Sequence, residues 1–219
     1  MIRVKDGGAM PPGEVFLRPS RVEVDLDAIG ANYARIRDAL GEVKLCAVVK
    51  ADGYGAGAVM VARHLESLGI ERLAVVTLDE AVELRQAGVR APILNMGAIF
   101  PDQAPLAVRY YIEQMVFQPE LLGALDAAAR AAGVLARIHL KVDTGMSRYG
   151  LPAEAAAALI ARLPEWPALE CIGVMTHFPM SDGLDKSFAQ LQIGRFSALR
   201  REVEGAGRRI PLWHMCNSG

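Results

Sequence analysis

The feature that most constrains the fold is a regular alternation between short, β-rich apolar runs and longer segments with helical spacing. Seven runs are predicted to be strands: residues 44–49, 72–77, 92–96, 114–117, 136–142, 171–176 and 212–216. Six segments are predicted to be helices: residues 27–40, 57–68, 78–87, 119–132, 152–163 and 186–204. A further short helix is expected within residues 101–111. This alternation predicts βαβ units and a parallel sheet. Runs that are apolar on both faces are typical of parallel strands covered by helices.

The number of strands leaves two α/β architectures open. A (β/α)8 TIM-type barrel needs eight strands and typically about 250 residues, whereas the seventh predicted strand ends at Cys216 of a 219-residue chain. The sequence therefore predicts either an open doubly wound sheet or an incomplete barrel with about seven of its eight strands. Residues 1–19, rich in glycine and proline, are predicted to be a flexible leader, with an ordered arm on a partner subunit as the alternative. Residues 20–219 are predicted to be the barrel.

Composition narrows the class of protein. The chain has 24 Lys and Arg against 25 Asp and Glu, which gives a net charge of −1. No broad basic surface is therefore expected to bind nucleic acid or an acidic membrane, although a small basic pocket would suffice for a phosphate. Three cysteines without a CxxC pair predict buried, reduced thiols. The start of the chain lacks the apolar stretch of a secretory signal, which favours a cytoplasmic location.

The strongest chemical signal lies after the first predicted strand of the sheet. Lys50 ends an apolar run, where partial burial lowers the pKa of an amine and makes it a usable nucleophile or base. Tyr54 and three nearby glycines follow before the next predicted helix, and backbone N–H groups at such a turn suit a phosphate. The alternative is a lysine whose stem covers apolar surface beside a plain glycine-rich turn.

Polar side chains recur at the same end of later strands, where parallel barrels carry their active sites. Lys141 to Gly150 reads KVDTGMSRYG, in which Arg148 is expected to clamp a carboxylate or phenolate, with a surface ion-pair cluster as the alternative. His177 follows the sixth strand, where a functional role and a structural hydrogen bond are both open. Three other histidines are predicted to be structural: His64, His139 and His214. The sequence has no close cluster of His, Cys and carboxylate residues, so no metal site is expected.

Several of these segments resemble one known family. They are AVVKADGYGAG (47–57), KVDTGMSRYG (141–150), MTHF (175–178), NSG (217–219) and the opening RVEVDLDAIGANY (21–33). Together they resemble the alanine racemases over about residues 18–219. The resemblance implies a fold-type III pyridoxal 5'-phosphate enzyme with an N-terminal barrel and a C-terminal β-domain. It also implies a homodimer that interconverts L-alanine and D-alanine, the latter for peptidoglycan.

The resemblance also implies roles for individual residues. Lys50 would form the Schiff base with the cofactor and act as the base on D-alanine, and Arg148 would contact the ring oxygen and the substrate carboxylate. Lys141 matches a lysine that is often carbamylated and then orients the arginine. Five further residues are expected to contact the cofactor: Val48, Tyr54, His177, Asn217 and Ser218. Of these, Tyr54 and Ser218 would contact its phosphate and His177 would lie beside its ring.

Two departures from the family pattern bear on function. Ala56 stands where the family has a histidine. The arginine that pairs with the pyridine nitrogen, the tyrosine that is the second catalytic base and the C-terminal β-domain are all expected beyond Gly219, so residues 1–219 alone are expected to lack the second base. Two alternatives stay open: a racemase for another amino acid, such as serine or lysine, and a non-catalytic barrel that binds pyridoxal phosphate.

Overall fold

The computed structural model describes residues 2–5 and 22–217, and the chain divides into two compact units at Gly97 and Ala98. All seven predicted strands and all six predicted helices are present, and the expected short helix forms at Ala104–Arg109. Within the described residues, no helix combines the length and the apolar character needed to cross a membrane.

The first unit carries Lys50, two residues after the end of a strand. Its elements are β1 (Ile2–Lys5), β2 (Val22–Asp25), α1 (Leu26–Leu40), β3 (Cys46–Val48), α2 (Lys50–Tyr54), α3 (Ala58–Ser67), β4 (Arg72–Val75), α4 (Leu78–Gln86) and β5 (Ile93–Asn95). β1 pairs with β2 in parallel, and β3, β4 and β5 pair in parallel in chain order. Four residues of the predicted leader therefore lie in a strand, whereas its residues 6–19 lie outside the described part of the chain.

Burial differs between the strands of this unit. Leu73, Ala74 and Val75 of β4 have no solvent exposure, which is the pattern of a parallel strand covered on both faces. Among the described residues of this unit, β3 pairs only with β4, and Cys46 at its start is exposed. The prediction of a buried thiol at Cys46 is therefore wrong, because an apolar run predicts a strand but not the neighbours that would cover it.

The second unit contains the other four strands of the predicted sheet. Its elements are α5 (Ala104–Arg109), β6 (Glu113–Val116), α6 (Pro119–Ala132), β7 (Ala136–Lys141), α7 (Ala153–Arg162), β8 (Leu169–His177), α8 (Ser187–Gly205) and β9 (Leu212–Cys216), with short 3-10 turns at Pro101–Gln103 and Leu163–Glu165. β6, β7, β8 and β9 are parallel neighbours in chain order. The α/β class with parallel strands is confirmed, and the C-terminal ends of these four strands lie side by side.

Candidate active site

Lys50 lies just after β3 and is the first residue of α2, whose backbone becomes left-handed from Ala51 onwards. Val49 before it is buried, with 2% exposure, while Lys50 itself is half-buried. Among the described residues its Nζ atom makes no hydrogen bond or ion pair, and the nearest aromatic face is the Tyr54 ring, with its centroid 6.0 Å away. The lysine amine is therefore available to react, and Val48 and Tyr54, the other predicted cofactor residues of this unit, are exposed beside it.

The segment that follows Lys50 is a single left-handed turn. Ala51, Asp52, Gly53 and Tyr54 have φ of 51°, 52°, 62° and 57°. Left-handed backbone costs a residue with a Cβ roughly 1–2 kcal/mol, so the turn needs support from outside. Part of it comes from Asp52, whose Oδ1 accepts a hydrogen bond from the Ala58 N–H at 2.8 Å. The turn directs the chain from the end of β3 into the first turn of α3.

Lys141 also ends a strand but lies in a different environment. Its side chain is 5% exposed, and its Nζ donates a hydrogen bond to the carbonyl of Val142 at 3.1 Å. Burial lowers the pKa of Lys141 to about 8; Asp143 works against this shift and Arg148 adds to it. At neutral pH the ammonium still predominates, but the uncharged, nucleophilic amine is far more populated than for an unperturbed lysine.

Arg148 sits on a loop that is closed by its own backbone. The Asp143 N–H donates to the Leu151 carbonyl at 2.8 Å, and the Leu151 N–H donates to the Lys141 carbonyl at 3.0 Å. At the loop's other turn, the Asp143 carboxylate accepts hydrogen bonds from the Gly145 and Ser147 N–H groups at 2.9 and 3.0 Å. Burial raises the pKa of Asp143, but backbone N–H donors outweigh burial, so the net pKa is lowered.

The arginine itself faces outward from this closed loop. Its side chain is exposed, and its guanidinium carbon is 5.9 Å from the centroid of the Tyr149 ring. Arg148 makes no ion pair with any residue that the structure describes, so the alternative of a surface ion-pair cluster has no support in the geometry. A preformed loop that presents an uncompensated guanidinium is suited to an anionic or phenolate oxygen.

Helix α8 ties the arginine loop to the end of β8. Gln192, which has no exposure, donates through Nε2 to the Thr144 hydroxyl at 3.0 Å and to the His177 carbonyl at 3.2 Å. The Thr144 hydroxyl is also 2.8 Å from that of Thr176. His177 is thereby held by its backbone while its half-buried ring remains at the strand end. These contacts fix the loop with Arg148 relative to β8.

Asn217 comes directly after β9. Its Nδ2 donates to the Phe178 carbonyl at 3.3 Å, and its Oδ1 accepts a hydrogen bond from the Ser181 hydroxyl. The second unit thus brings Lys141, Arg148, His177 and Asn217 to the ends of neighbouring strands. Ser218, the predicted phosphate ligand, lies outside the described residues.

A buried group of hydrogen-bonded polar side chains lies within these strands, before their C-terminal ends. The His139 ring has no exposure; its Nε2 is 3.2 Å from Glu113 Oε2, and its Nδ1 is 2.9 Å from His214 Nε2. Gly173 lies beside it, and a Cβ there would stand 2.2 Å from His139 Nδ1. The structural role predicted for His139 and His214 agrees with these contacts. The contacts among Glu113, His139 and His214 are not visible in the sequence, because the three residues come from three separate strands.

Comparison with known proteins connects these residues to one family. The model of the family "Alanine racemase, N-terminal domain" matches residues 24–219. The alanine racemase of Desulfovibrio desulfuricans is 40% identical over 204 residues, and that of Desulforamulus reducens is 42% identical over 202 residues. These matches cover 93% and 91% of this chain but 55% of each relative, so the chain spans about half the length of the curated relatives it matches.

Solved structures give the same answer for the fold. Alanine racemase of Clostridium difficile 630 in complex with cycloserine superposes with a TM-score of 0.89 at 32% identity, covering 93% of this chain and 57% of that one. Alanine racemase of Bacillus anthracis with bound L-Ala-P gives a TM-score of 0.85 at 33% identity, covering 94% of this chain and 53% of that one. Of the two predicted architectures, the (β/α)8-type barrel portion is therefore the correct one. The chain belongs to the alanine racemase N-terminal domain family.

Proposed function

We propose that this protein is a pyridoxal-phosphate-dependent alanine racemase that interconverts L-alanine and D-alanine, with its cofactor-binding barrel in residues 24–219. The observation that carries the proposal is the unengaged amine of Lys50 at the C-terminal end of β3, in a chain of this family. A barrel strand end is where enzymes of this architecture place their reactive groups. Because Lys50 Nζ makes no hydrogen bond or ion pair with the described residues, it is accessible to the aldehyde of the cofactor.

The residues present fit the cofactor's other groups. Arg148 offers an uncompensated guanidinium for the ring oxygen, and the exposed Tyr54 offers a hydroxyl for the phosphate. His177 would pack against the ring, Val48 and Asn217 would lie near the cofactor, and Ser218 would contact the phosphate. When bound, the cofactor supplies an electron sink that makes the α-proton of the amino acid acidic.

Proton transfer then depends on the groups that face the α-carbon. Lys50 Nζ would take the α-proton of D-alanine and return it on the same face. Inversion needs a second group on the opposite face, and the family resemblance assigns that role to a tyrosine that matches no position in residues 1–219. We therefore propose Lys50 as one of the two bases, with the other supplied in the complete homodimer. The homodimer would act in the cytoplasm, and its D-alanine would be used for peptidoglycan.

Lys141 is proposed to be carbamylated. Its pKa of about 8 leaves an uncharged amine that can add to carbon dioxide, forming an N–C bond and releasing one proton. The product is an anion at a position where the free ammonium would repel Arg148. Carbamylation would convert that repulsion into an attraction and orient the guanidinium towards the cofactor oxygen.

Exchange of the α-proton in D2O tests the function without requiring inversion. With pyridoxal phosphate, this chain is expected to exchange the α-proton of D-alanine faster than that of L-alanine, with configuration retained, as followed by proton NMR. Lys50→Ala should abolish the exchange, and Lys44→Ala, at an exposed lysine, should leave it unchanged. Faster exchange of serine or lysine would instead indicate a racemase for another amino acid. Cofactor binding without any exchange would indicate a non-catalytic barrel.

A further inference from the structure

The left-handed turn after Lys50 is attached to a distant carboxylate. Glu80 Oε1 accepts a hydrogen bond from the Ala51 N–H at 2.7 Å, across 29 residues of sequence. Its other oxygen, Oε2, accepts hydrogen bonds from the N–H groups of Val76 and Thr77 at 2.9 and 3.1 Å. One carboxylate thus joins the residue that follows Lys50 to the end of β4 and the beginning of α4.

The charge state of Glu80 suits this role. Burial raises the pKa of its carboxyl, but the three backbone N–H donors outweigh burial and lower it below its usual value. The group is therefore ionised near neutral pH, and hydrogen bonds to an ionised acceptor are about twice as strong as neutral ones. They oppose the tendency of Ala51 and Asp52 to leave their left-handed conformation, at φ 51° and 52°.

We propose that Glu80 is a positioning residue for Lys50: its carboxylate clamps the left-handed turn to β4 and α4 and so fixes where the lysine amine stands. The clamp is distinct from ordinary helix capping. In the capping box of α4, Thr77 Oγ1 accepts the Glu80 N–H at 3.2 Å and Glu80 bonds back to the Thr77 N–H. Neither contact involves Ala51. The consequence for catalysis rests on the proposed function of Lys50, whereas the clamp itself does not.

Shortening the side chain separates the two roles. Glu80→Asp keeps the charge in the first turn of α4 and keeps the Thr77 bond to the residue-80 N–H, but its carboxylate is about 1.5 Å shorter and should not reach Ala51. Glu80→Ala removes the carboxylate altogether. Glu80→Gln retains one acceptor oxygen and should restore part of the clamp. Glu83→Gln, at an exposed position on the same helix, is the matched control.

Two measurements report the clamp, and two more report its consequence for cofactor binding. Amide hydrogen exchange at Ala51 and the 15N order parameter of Lys50 report the clamp without cofactor. The apparent Kd for pyridoxal phosphate and the rate at which borohydride traps it on Lys50 report the consequence. Loss of one charge-assisted hydrogen bond is expected to speed Ala51 exchange and to weaken cofactor binding roughly tenfold or more in Glu80→Asp and Glu80→Ala. Glu80→Gln should fall between these and the parent, and Glu83→Gln should match the parent.

The possible failures are separable. The clamp is refuted if Glu80→Asp and Glu80→Ala leave both Ala51 exchange and the Lys50 order parameter unchanged. Faster Ala51 exchange with an unaltered Lys50 order parameter, Kd and trapping rate would show that Glu80 only caps α4 and stabilises the turn. If the parent chain takes up no cofactor at Lys50, the proposed function fails, while Ala51 exchange and Lys50 order still decide whether Glu80 positions the lysine backbone.

Discussion

Two lysines stand at or just beyond the C-terminal ends of parallel strands, and their surroundings differ in almost every respect. Lys50 is half-buried, has no hydrogen-bond partner among the described residues and is followed by a strained left-handed turn. Lys141 is buried and bonded to the Val142 carbonyl, and a loop closed by its own backbone follows it. Burial lowers the pKa of Lys141 to about 8, chiefly because a charged ammonium is poorly solvated there.

The difference indicates separate functions for the two amines. A group that must bond to a cofactor and then move a proton needs access and freedom at its Nζ, which Lys50 has. Burial destabilises the charged form of the Lys141 amine relative to the uncharged form. Since carbamate formation starts from the uncharged amine, this environment suits that modification. This division of roles has consequences for inversion of alanine, for stability and for cofactor binding.

The largest effect concerns inversion of alanine. If Lys50 is the one base within residues 1–219 and Lys141 does not serve the opposite face, this chain with added cofactor should convert L-alanine to D-alanine at least roughly 100-fold more slowly than a full-length relative, since a positioned acid or base contributes about 10²–10⁴-fold. Chiral chromatography of the product measures the rate. Turnover equal to that of the relative would place a second base inside this chain and break the comparison.

The next effect is on stability and depends on pH. The Lys141 amine has a folded-state pKa of about 8 against 10.5 when unperturbed, so the unfolded chain binds more protons between these values and stability rises with pH across that window. Lys141→Met removes the buried charge and should stabilise the protein at pH 7, by at most about 3 kcal/mol, with the gain vanishing above about pH 10.

Urea denaturation at pH 7 and above about pH 10, in buffer free of carbon dioxide, measures this gain in unfolding free energy. Lys44→Met, at an exposed lysine, is the control and should change the unfolding free energy little at either pH. An equal unfolding free energy for Lys141→Met and the parent at pH 7 would show that the Lys141 ammonium is solvated, and the contrast with Lys50 would disappear.

A smaller effect is expected at Arg148. Because its side chain is exposed and unpaired among the described residues, Arg148→Ala should change the free energy of unfolding by less than about 0.5 kcal/mol. If Arg148 binds the cofactor as proposed, loss of that charged hydrogen bond should still weaken pyridoxal phosphate binding roughly tenfold. Spectroscopic titration measures the affinity, with the exposed Arg201→Ala as control. Unchanged affinity would assign Arg148 to the surface rather than to the cofactor.

The sequence predicted the elements of the fold because the apolar runs are distinct and the strands parallel. It also predicted Lys50 and Arg148 as site residues, since both follow predicted strands at the end where barrels carry their chemistry; those roles stay predictions. It did not distinguish the environments of Lys50 and Lys141, because each ends an apolar run. The depth of burial depends on neighbouring elements that are distant in sequence.

The supporting residues were harder to foresee. Thr77 and Glu80 have the spacing of a capping box, but nothing in that spacing indicates the bond from Glu80 to Ala51, 29 residues away. Ala51 has no intrinsic preference for left-handed backbone, so its φ of 51° reflects tertiary support rather than local propensity. In the same way, the contact of His139 with Glu113 joins two strands and is not visible in either one alone.

Mapping the lysine that carries the cofactor tests the central claim most directly. The chain is incubated with pyridoxal phosphate, reduced with borohydride and digested, and the pyridoxyl group is located by mass spectrometry. We expect the label on Lys50, and we expect Lys50→Ala to lose it without transfer to another lysine. A label on Lys141 or Lys44 in the parent chain would contradict the assignment of Lys50 as the cofactor lysine.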